Sequence, residues 1–409
     1  MSLFDKYAPL QARVDIMMKI GKDALGVQFD DIISTTRGRI GNREILLAGT
    51  NNYLGLTFDD DCMSAAKDAV DNHGTGTTGS RIANGTYSEH IELEKALADH
   101  LGMPSCIVFT TGYQTNLSAI SGLAGDKDVV FMDADAHACI IDGTRLTGAS
   151  TIRFRHNNPE DLDKRLRRQG EIEGGNALVV IEGLYSMFGD VAPIDEFVEV
   201  THNHGGYLFI DEAHSYGVFG PTGCGLAEEQ GVLDKVDFIS GTFSKSLASV
   251  GGFCASRHPE FEILRKVMRP YMFTASATPA NICAALAAVE KVKQGAGLRA
   301  NLKARSEQLH KGLAEMQYEL CADPSPVIAV RRPNEAIAAM EWNALMENGV
   351  YVNLAVPPGT PQSSSLLRIS LSAAHTEEDI NLILKAFNDL KNNQGKLMAE
   401  MGAKMQAAE

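Results

Sequence analysis

The chain has 409 residues, of which 44% are hydrophobic and 22% charged, proportions that support a sizeable core and exclude a disordered polymer. Its length suits two structural units sharing a surface. The formal net charge of −15 excludes nucleic acid as a main partner, because phosphate binding needs a basic face.

The N-terminus, MSLFDKYAPLQARVD, is too polar for a signal peptide. No apolar run approaches the ~20 residues of a membrane helix, so a cytoplasmic location is expected, with weak peripheral contact at the inner membrane face left open. Residues 1–55 read as an N-terminal arm with one helix and a hairpin at Gly41-Asn42. Residues 56–285 alternate short apolar runs with amphipathic stretches. The expected strands are Ile107–Thr110, Val129–Asp133, Ile152–Phe154, Leu178–Glu182, Tyr207–Asp211, Phe238–Gly241 and Gly252–Ala255. Helical patterns such as Pro159–Arg168 and Pro193–His204 separate them, which predicts a mostly parallel, doubly wound α/β sheet. Residues 286–409 change texture: helical sequence over Cys283–Met316 leads to strands at Val327–Val330, Tyr351–Ala355 and Leu366–Leu371, a smaller α+β domain. The polar tail after Leu390 reads as a fraying helix. Seven scattered cysteines without a C-x-x-C pair give neither a zinc ribbon nor a disulfide framework.

In a doubly wound sheet, ligands bind in the loops after the strands' carboxyl ends. Thr242-Phe243-Ser244-Lys245-Ser246 follows such a strand. A lysine among small hydroxyl residues and glycines is oddly placed for a surface charge. Shelter of this kind frees an amine for imine formation, and the small neighbours leave room for a flat ring and a phosphate. By itself this lysine reads equally as a solvated strand end. The stretch Tyr207–Asp211 adds an apolar strand ending in an acid, with His214 three residues on. Asp211 precedes Lys245 by 34 positions, enough for one helix and one strand, which returns both to the same sheet edge. A carboxylate there can keep a pyridine nitrogen protonated, so the pair predicts a pyridoxal 5'-phosphate site. Thr110–Asn116 opens a helix after a strand, and Gly112 lets a phosphate approach the helix N-terminus. His137, in Asp133-Ala134-Asp135-Ala136-His137, could stack on a ring; the string has too few ligands for a metal, and none is expected. Gly74–Gly79 matches G-x-G-x-x-G, but follows a helical pattern and not a strand, so it reads as a glycine-rich substrate loop rather than a dinucleotide fingerprint.

Together, TFSKSLASVGG, FIDEAHSYGVFG, FTTGYQTN, DADAHA and EGLYSMFGD resemble the α-oxoamine synthases, fold-type I enzymes that condense an amino acid with an acyl-CoA and release CO₂. GTGTTGSRIANGTYSEHIELE, RPYMFTAS and PPGTPQSSSLLRISLSAAHT are similar to the serine-using bacterial branch. The resemblance implies that Lys245 anchors the cofactor and moves the Cα proton, Asp211 holds the pyridine nitrogen, His214 the ring's 3′-oxygen, and that His137 stacks on the ring. It implies that Gly112, Tyr113, Thr242 and Ser244 bind the phosphate or frame the cofactor, and that Ser186 lies near the 3′-oxygen and the acyl carbonyl. Thr274 matches a residue reaching a neighbouring subunit's phosphate, which implies a homodimer with shared active sites. Arg368 matches an arginine that holds a carboxylate, and Asn52 another substrate contact; Asn51 departs from the pattern, which has a tyrosine there. The implied partners are L-serine and a long-chain acyl-CoA, with an acyl carrier protein as alternative donor, and the implied product is 3-ketodihydrosphingosine. Glycine or alanine as the amino acid, an aminotransferase, and a non-catalytic partner subunit are the competing readings.

Overall fold

The computed structural model describes residues 2–169 and 176–406. The strands in chain order begin with β1 (Asp31–Ser34), β2 (Arg37–Ile40) and β3 (Arg43–Leu47). Next come β4 (Ser105–Phe109), β5 (Val129–Asp133), β6 (Ser150–Phe154), β7 (Ala177–Glu182), β8 (Tyr207–Asp211), β9 (Phe238–Thr242) and β10 (Gly252–Ser256). The last are β11 (Val327–Arg332), β12 (Val350–Tyr351), β13 (Asn353–Ala355) and β14 (Ser365–Ser370). The chain divides into two compact units, the larger made of Asn51–Ser186 and Asp190–Ala300, the smaller of Met1–Thr50, Met187–Gly189 and Asn301–Glu409.

In the larger unit, β4 to β10 form a seven-stranded sheet in the order β4-β10-β9-β8-β7-β5-β6. Strands β5 to β9 pair in parallel, and only β10 runs antiparallel, against both β4 and β9. Strands β4, β5, β7, β9 and β10 are buried at every position. Continuous apolar runs of this kind need cover on both faces, which the crossover helices supply. Parallel pairing also brings the carboxyl ends of β5, β7, β8 and β9 to one edge. The helical stretch expected over Cys283–Met316 is two helices, Pro279–Gln294 and Ala296–Glu315, separated at Gly295. The first buries Ile282, Ala285, Ala288, Val289 and Val292 at helical spacing and packs on the helices Asp60–His73 and Ser88–Leu101. That packing carries the larger unit past residue 285 to Ala300.

Two ionic clusters, each built on a buried carboxylate, brace this unit. Glu94, 5% exposed, accepts from Arg81 at 2.9 Å, from Arg265 at 2.8 Å and from the Val108 N–H of β4 at 2.9 Å. At the other side of the sheet, His156 sits between Asp133, which ends β5, and Asp190. Its Nδ1 is 2.8 Å from Asp133 Oδ1 and its Nε2 2.7 Å from Asp190 Oδ2, with the Tyr185 ring edge-on at 4.4 Å. Burial opposes charge on the imidazole, but the bonds to Asp133 and Asp190 prevail and raise its pKa to about 10.

In the smaller unit, β2 and β3 form the hairpin, turning at Gly41 with φ +59°. The strand expected over Tyr351–Ala355 is two strands that serve different sheets: β12 pairs in parallel with β3, and β13 pairs antiparallel with β14. The break falls at Val352, whose carbonyl accepts the Trp342 indole N–H at 2.8 Å.

Glu94→Ala would leave two guanidinium groups and a strand N–H without their shared acceptor. We expect a loss of about 3 kcal/mol, read as a lower urea midpoint; an unchanged midpoint would contradict the bracing role. For His156 the folded pKa lies above the unfolded value of about 6.5. Its contribution is therefore complete below that pH and is lost as pH rises through about 10. The urea midpoint of the natural chain should fall between pH 7 and pH 10 by more than that of His156→Asn.

Candidate active site

The carboxyl ends of β5, β7, β8 and β9 open on a cavity of about 300 Å³. Its wall brings together Gly112, Tyr113, His137, Asp211, His214, Thr242, Ser244 and Lys245. Lys245 lies on the turn after β9. That turn is stapled by Phe243 N–H to Gly251 O and Ser249 N–H to Phe243 O, both at 2.9 Å. The Phe243 ring is fully buried and stacks with Phe253, so the turn is pinned to the core and Lys245 stands half-buried on the wall.

Asp211 closes β8 and is 5% exposed. Each carboxylate oxygen has its own donor: Asn116 Nδ2 to Oδ2 at 2.6 Å, and the Ala213 N–H to Oδ1 at 2.9 Å. Charge-assisted bonds of this kind are what a buried anion requires. The helix Gly112–Leu123, which carries Asn116, begins against the end of β9, with Thr111 capping it through the Gln114 N–H at 3.1 Å. A Cβ on Gly112 would lie 2.6 Å from the Thr242 side chain, so only glycine permits this approach of the helix start. A helix N-terminus at that place attracts an anion.

His137 caps the helix Ala138–Leu146, with its Nδ1 accepting the Cys139 N–H at 3.2 Å. Its own backbone N–H donates to Glu182 Oε1 at 2.6 Å. Burial lowers the His137 pKa, opposed by the charge of Asp211 and reinforced by that of Lys245, so the ring is neutral at pH 7. Glu182 closes β7 in register with Asp211. Burial, then the adjacent Asp211 charge, push the Glu182 carboxyl well above the usual carboxylate range. His214 Nδ1 lies 2.6 Å from the hydroxyl of Tyr53, which is fully buried.

This donor set fits pyridoxal 5'-phosphate. It offers an amine for the aldehyde, a carboxylate for the ring nitrogen, and a glycine-led helix start with the Thr242 and Ser244 hydroxyls for the phosphate. Four other expected residues lie off this wall. Thr274 Oγ1 accepts from Gln114 Nε2 at 2.7 Å, and Asn52 Nδ2 donates to Thr57 Oγ1 at 2.7 Å. Ser186 follows β7 in a loop where the Tyr185 N–H bonds Asp190 O at 2.9 Å. Arg368 belongs to β14 in the smaller unit, where it is buried and donates to Ser370 Oγ at 2.7 Å. The G-x-G-x-x-G stretch directly follows the helix Asp60–His73 and not a strand.

Asn116, Cys139, Glu182 and Tyr53 were not marked by sequence reasoning. Glu182 carried the same signal as Asp211, an acid closing an apolar strand. Asn116 stands one helical turn past Gly112, on the face that the helix start presents. Tyr53 had no local signal, since its partner His214 lies 161 residues away.

The aminotransferase class I and II family matches residues 43–387. Serine palmitoyltransferase of Caulobacter vibrioides is 49% identical over 390 residues, spanning 95% of this chain and 96% of that protein. The serine palmitoyltransferase of Sphingomonas paucimobilis is 44% identical over 388 residues, spanning 94% and 92%. A solved structure of a lysine-to-alanine variant of serine palmitoyltransferase from S. paucimobilis, with a bound PLP–myriocin aldimine, superposes with a TM-score of 0.94. It is 43% identical and covers 97% of this chain and 100% of that one. The chain belongs to the aminotransferase class I and II family, on its α-oxoamine synthase branch.

Proposed function

We propose that the chain condenses L-serine with a long-chain acyl-CoA, releasing CoA and CO₂ and forming 3-ketodihydrosphingosine. The observation that carries this reading is the single cavity holding Lys245, Asp211, His137 and the Gly112 helix start, in a chain so similar to serine palmitoyltransferases over nearly its full length. The cofactor is pyridoxal 5'-phosphate. When bound, it supplies an electron sink for the negative charge that develops at the substrate's Cα.

The chain's own residues do the rest. Lys245 would anchor the cofactor through Nζ, and the same amine would take the substrate's Cα proton and later return one. Asp211, held as an acceptor by Asn116 and Ala213, keeps a proton on the ring nitrogen, which sustains the sink. His137 would stack on the ring face, and His214, braced by Tyr53, would serve the 3′-oxygen. Gly112, Tyr113, Thr242 and Ser244 hold the phosphate end. Following the family pattern, Ser186 serves the acyl carbonyl, Arg368 the substrate carboxylate, and Asn52 a further substrate contact. Thr274 contributes to a neighbouring subunit's phosphate site, which makes the working unit a homodimer with shared active sites. We place the enzyme in the cytoplasm. Leu3, Phe4 and Leu10, exposed near the N-terminus, are available for weak contact with the inner membrane face that receives a lipid product. Among the described residues, no helix is long and apolar enough to cross a membrane.

Lys245→Ala should abolish turnover and remove the borohydride-reducible visible absorbance; normal turnover in that variant would overturn the assignment. Mixing the purified chain with serine, glycine or alanine should show the largest spectral change and thiol release from palmitoyl-CoA with serine. Equal or greater release with glycine or alanine would move the chain to another member of the branch. Conversion of the cofactor to its amine form without CoA release would make it an aminotransferase. Palmitoyl carrier protein in place of palmitoyl-CoA tests the second donor in the same assay.

A further inference from the structure

A short polar chain joins the His137 ring to Asp211, and its sulfur member, Cys139, has no part in the reaction scheme. The Cys139 Sγ is 2.9 Å from His137 Nδ1 and accepts from Asn116 Nδ2 at 3.1 Å. The second hydrogen of the same Asn116 amide goes to Asp211 Oδ2 at 2.6 Å. All three partners are buried: Asn116 is 3% exposed, Cys139 3% and Asp211 5%.

The direction of every bond in this chain can be assigned. A carboxylate only accepts, so the Asn116 group beside Asp211 is its NH₂ and the amide cannot be flipped. A backbone N–H only donates, so His137 Nδ1, which receives the Cys139 N–H at 3.2 Å, carries no proton. The Cys139 sulfur therefore donates its S–H to Nδ1 while it accepts from Asn116. Burial pushes this thiol far up, which keeps the donor proton in place at any working pH. With the single lone pair of Nδ1 shared between the Cys139 N–H and S–H, the imidazole proton belongs to Nε2.

We propose that Asn116 and Cys139 form a one-way relay that locks His137 as the neutral Nε2–H tautomer, a donor rather than an acceptor on its far nitrogen, and ties that state to the carboxylate of Asp211. Asn116 and Cys139 are then positioning residues, acting through His137 and Asp211. The groups facing His137 from the surrounding elements are Asp211 on β8, Lys245 on the turn after β9, and Glu182 on β7, which takes the His137 backbone N–H. Tyr113, on the helix Gly112–Leu123, lies with its ring edge-on at 6.2 Å. Asp211 favours protonation of His137 and Lys245 disfavours it; the relay adds its weight to the neutral side.

The inference deepens the function proposed above, and only its kinetic arm rests on that function. The full chain, with ¹⁵N-labelled histidine and its cofactor bound, is titrated by NMR, and His137 is assigned by the signals lost in His137→Asn. At pH 7 the His137 pair should show the Nε2–H pattern; an Nδ1–H tautomer or an imidazolium would overturn the proposal. Cys139→Ala removes the S–H donor and should raise the pH at which His137 protonates by roughly 0.5–1 unit. Cys139→Ser, which keeps a donor, should restore the original titration. An unmoved titration in Cys139→Ala also overturns the relay, and should that variant fail to fold, the tautomer of the natural chain and of Cys139→Ser still decides. In the kinetic arm, the acid limb of kcat/KM for serine and palmitoyl-CoA should move with the titration in Cys139→Ala and return in Cys139→Ser. Absence of turnover in the natural chain, with the Nε2–H pattern present, would sink the proposed function and leave the relay standing.

Discussion

A carboxylate buried at the end of an apolar strand governs this active site. Asp211 cannot stay charged there without donors, and none can come from its own strand, whose N–H groups serve the sheet. One donor is the Ala213 N–H in the turn that follows. The other is Asn116, which must be brought in on a different element. Holding Asn116 at 2.6 Å requires the helix Gly112–Leu123 to begin close to the end of β9, and only a glycine at its first position allows that approach. The same placement turns the helix N-terminus toward the cavity. One electrostatic demand thus positions both the carboxylate proposed for a ring nitrogen and the helix start proposed for a phosphate.

The neighbouring strand end shows how finely the number of donors sets the charge. Glu182 and Asp211 are register partners on β7 and β8, and both are almost wholly buried. Two negative charges side by side in a low dielectric repel strongly, so one group must give way. Asp211 has a donor on each oxygen, whereas Glu182 receives the backbone N–H of His137. Burial, then the Asp211 charge, push the Glu182 carboxyl well above the usual carboxylate range. The arrangement puts the better-solvated carboxylate, Asp211, where a cationic ring nitrogen would need it, and Glu182 holds the His137 backbone in place.

Much of this was legible along the chain. The parallel sheet follows from seven apolar runs spaced by helical patterns, and β5 and β8 fall at the expected residues because their turns are sharp and their neighbours polar. Lys245, Asp211 and Gly112 each follow a strand, and the carboxyl-end rule makes such positions visible without coordinates. Other features depend on partners far away in sequence. The break at Val352 is caused by Trp342 claiming a carbonyl, and the helical run 283–316 divides at Gly295 although its composition is continuous. Tyr53 joins the site through His214, a contact that no periodicity can reveal.

By itself the sequence pointed to the fold class, the cofactor and the candidate lysine, acid and helix start, because each rests on residue type placed after a strand. Only the tertiary structure decided that Glu182 stands beside Asp211, which donors each acid receives, and how Asn116 and Cys139 join Asp211 to the His137 ring. Those outcomes depend on burial and on the direction of hydrogen bonds between elements, properties that arise only when β5, β7, β8 and the helix Gly112–Leu123 close around the same cavity.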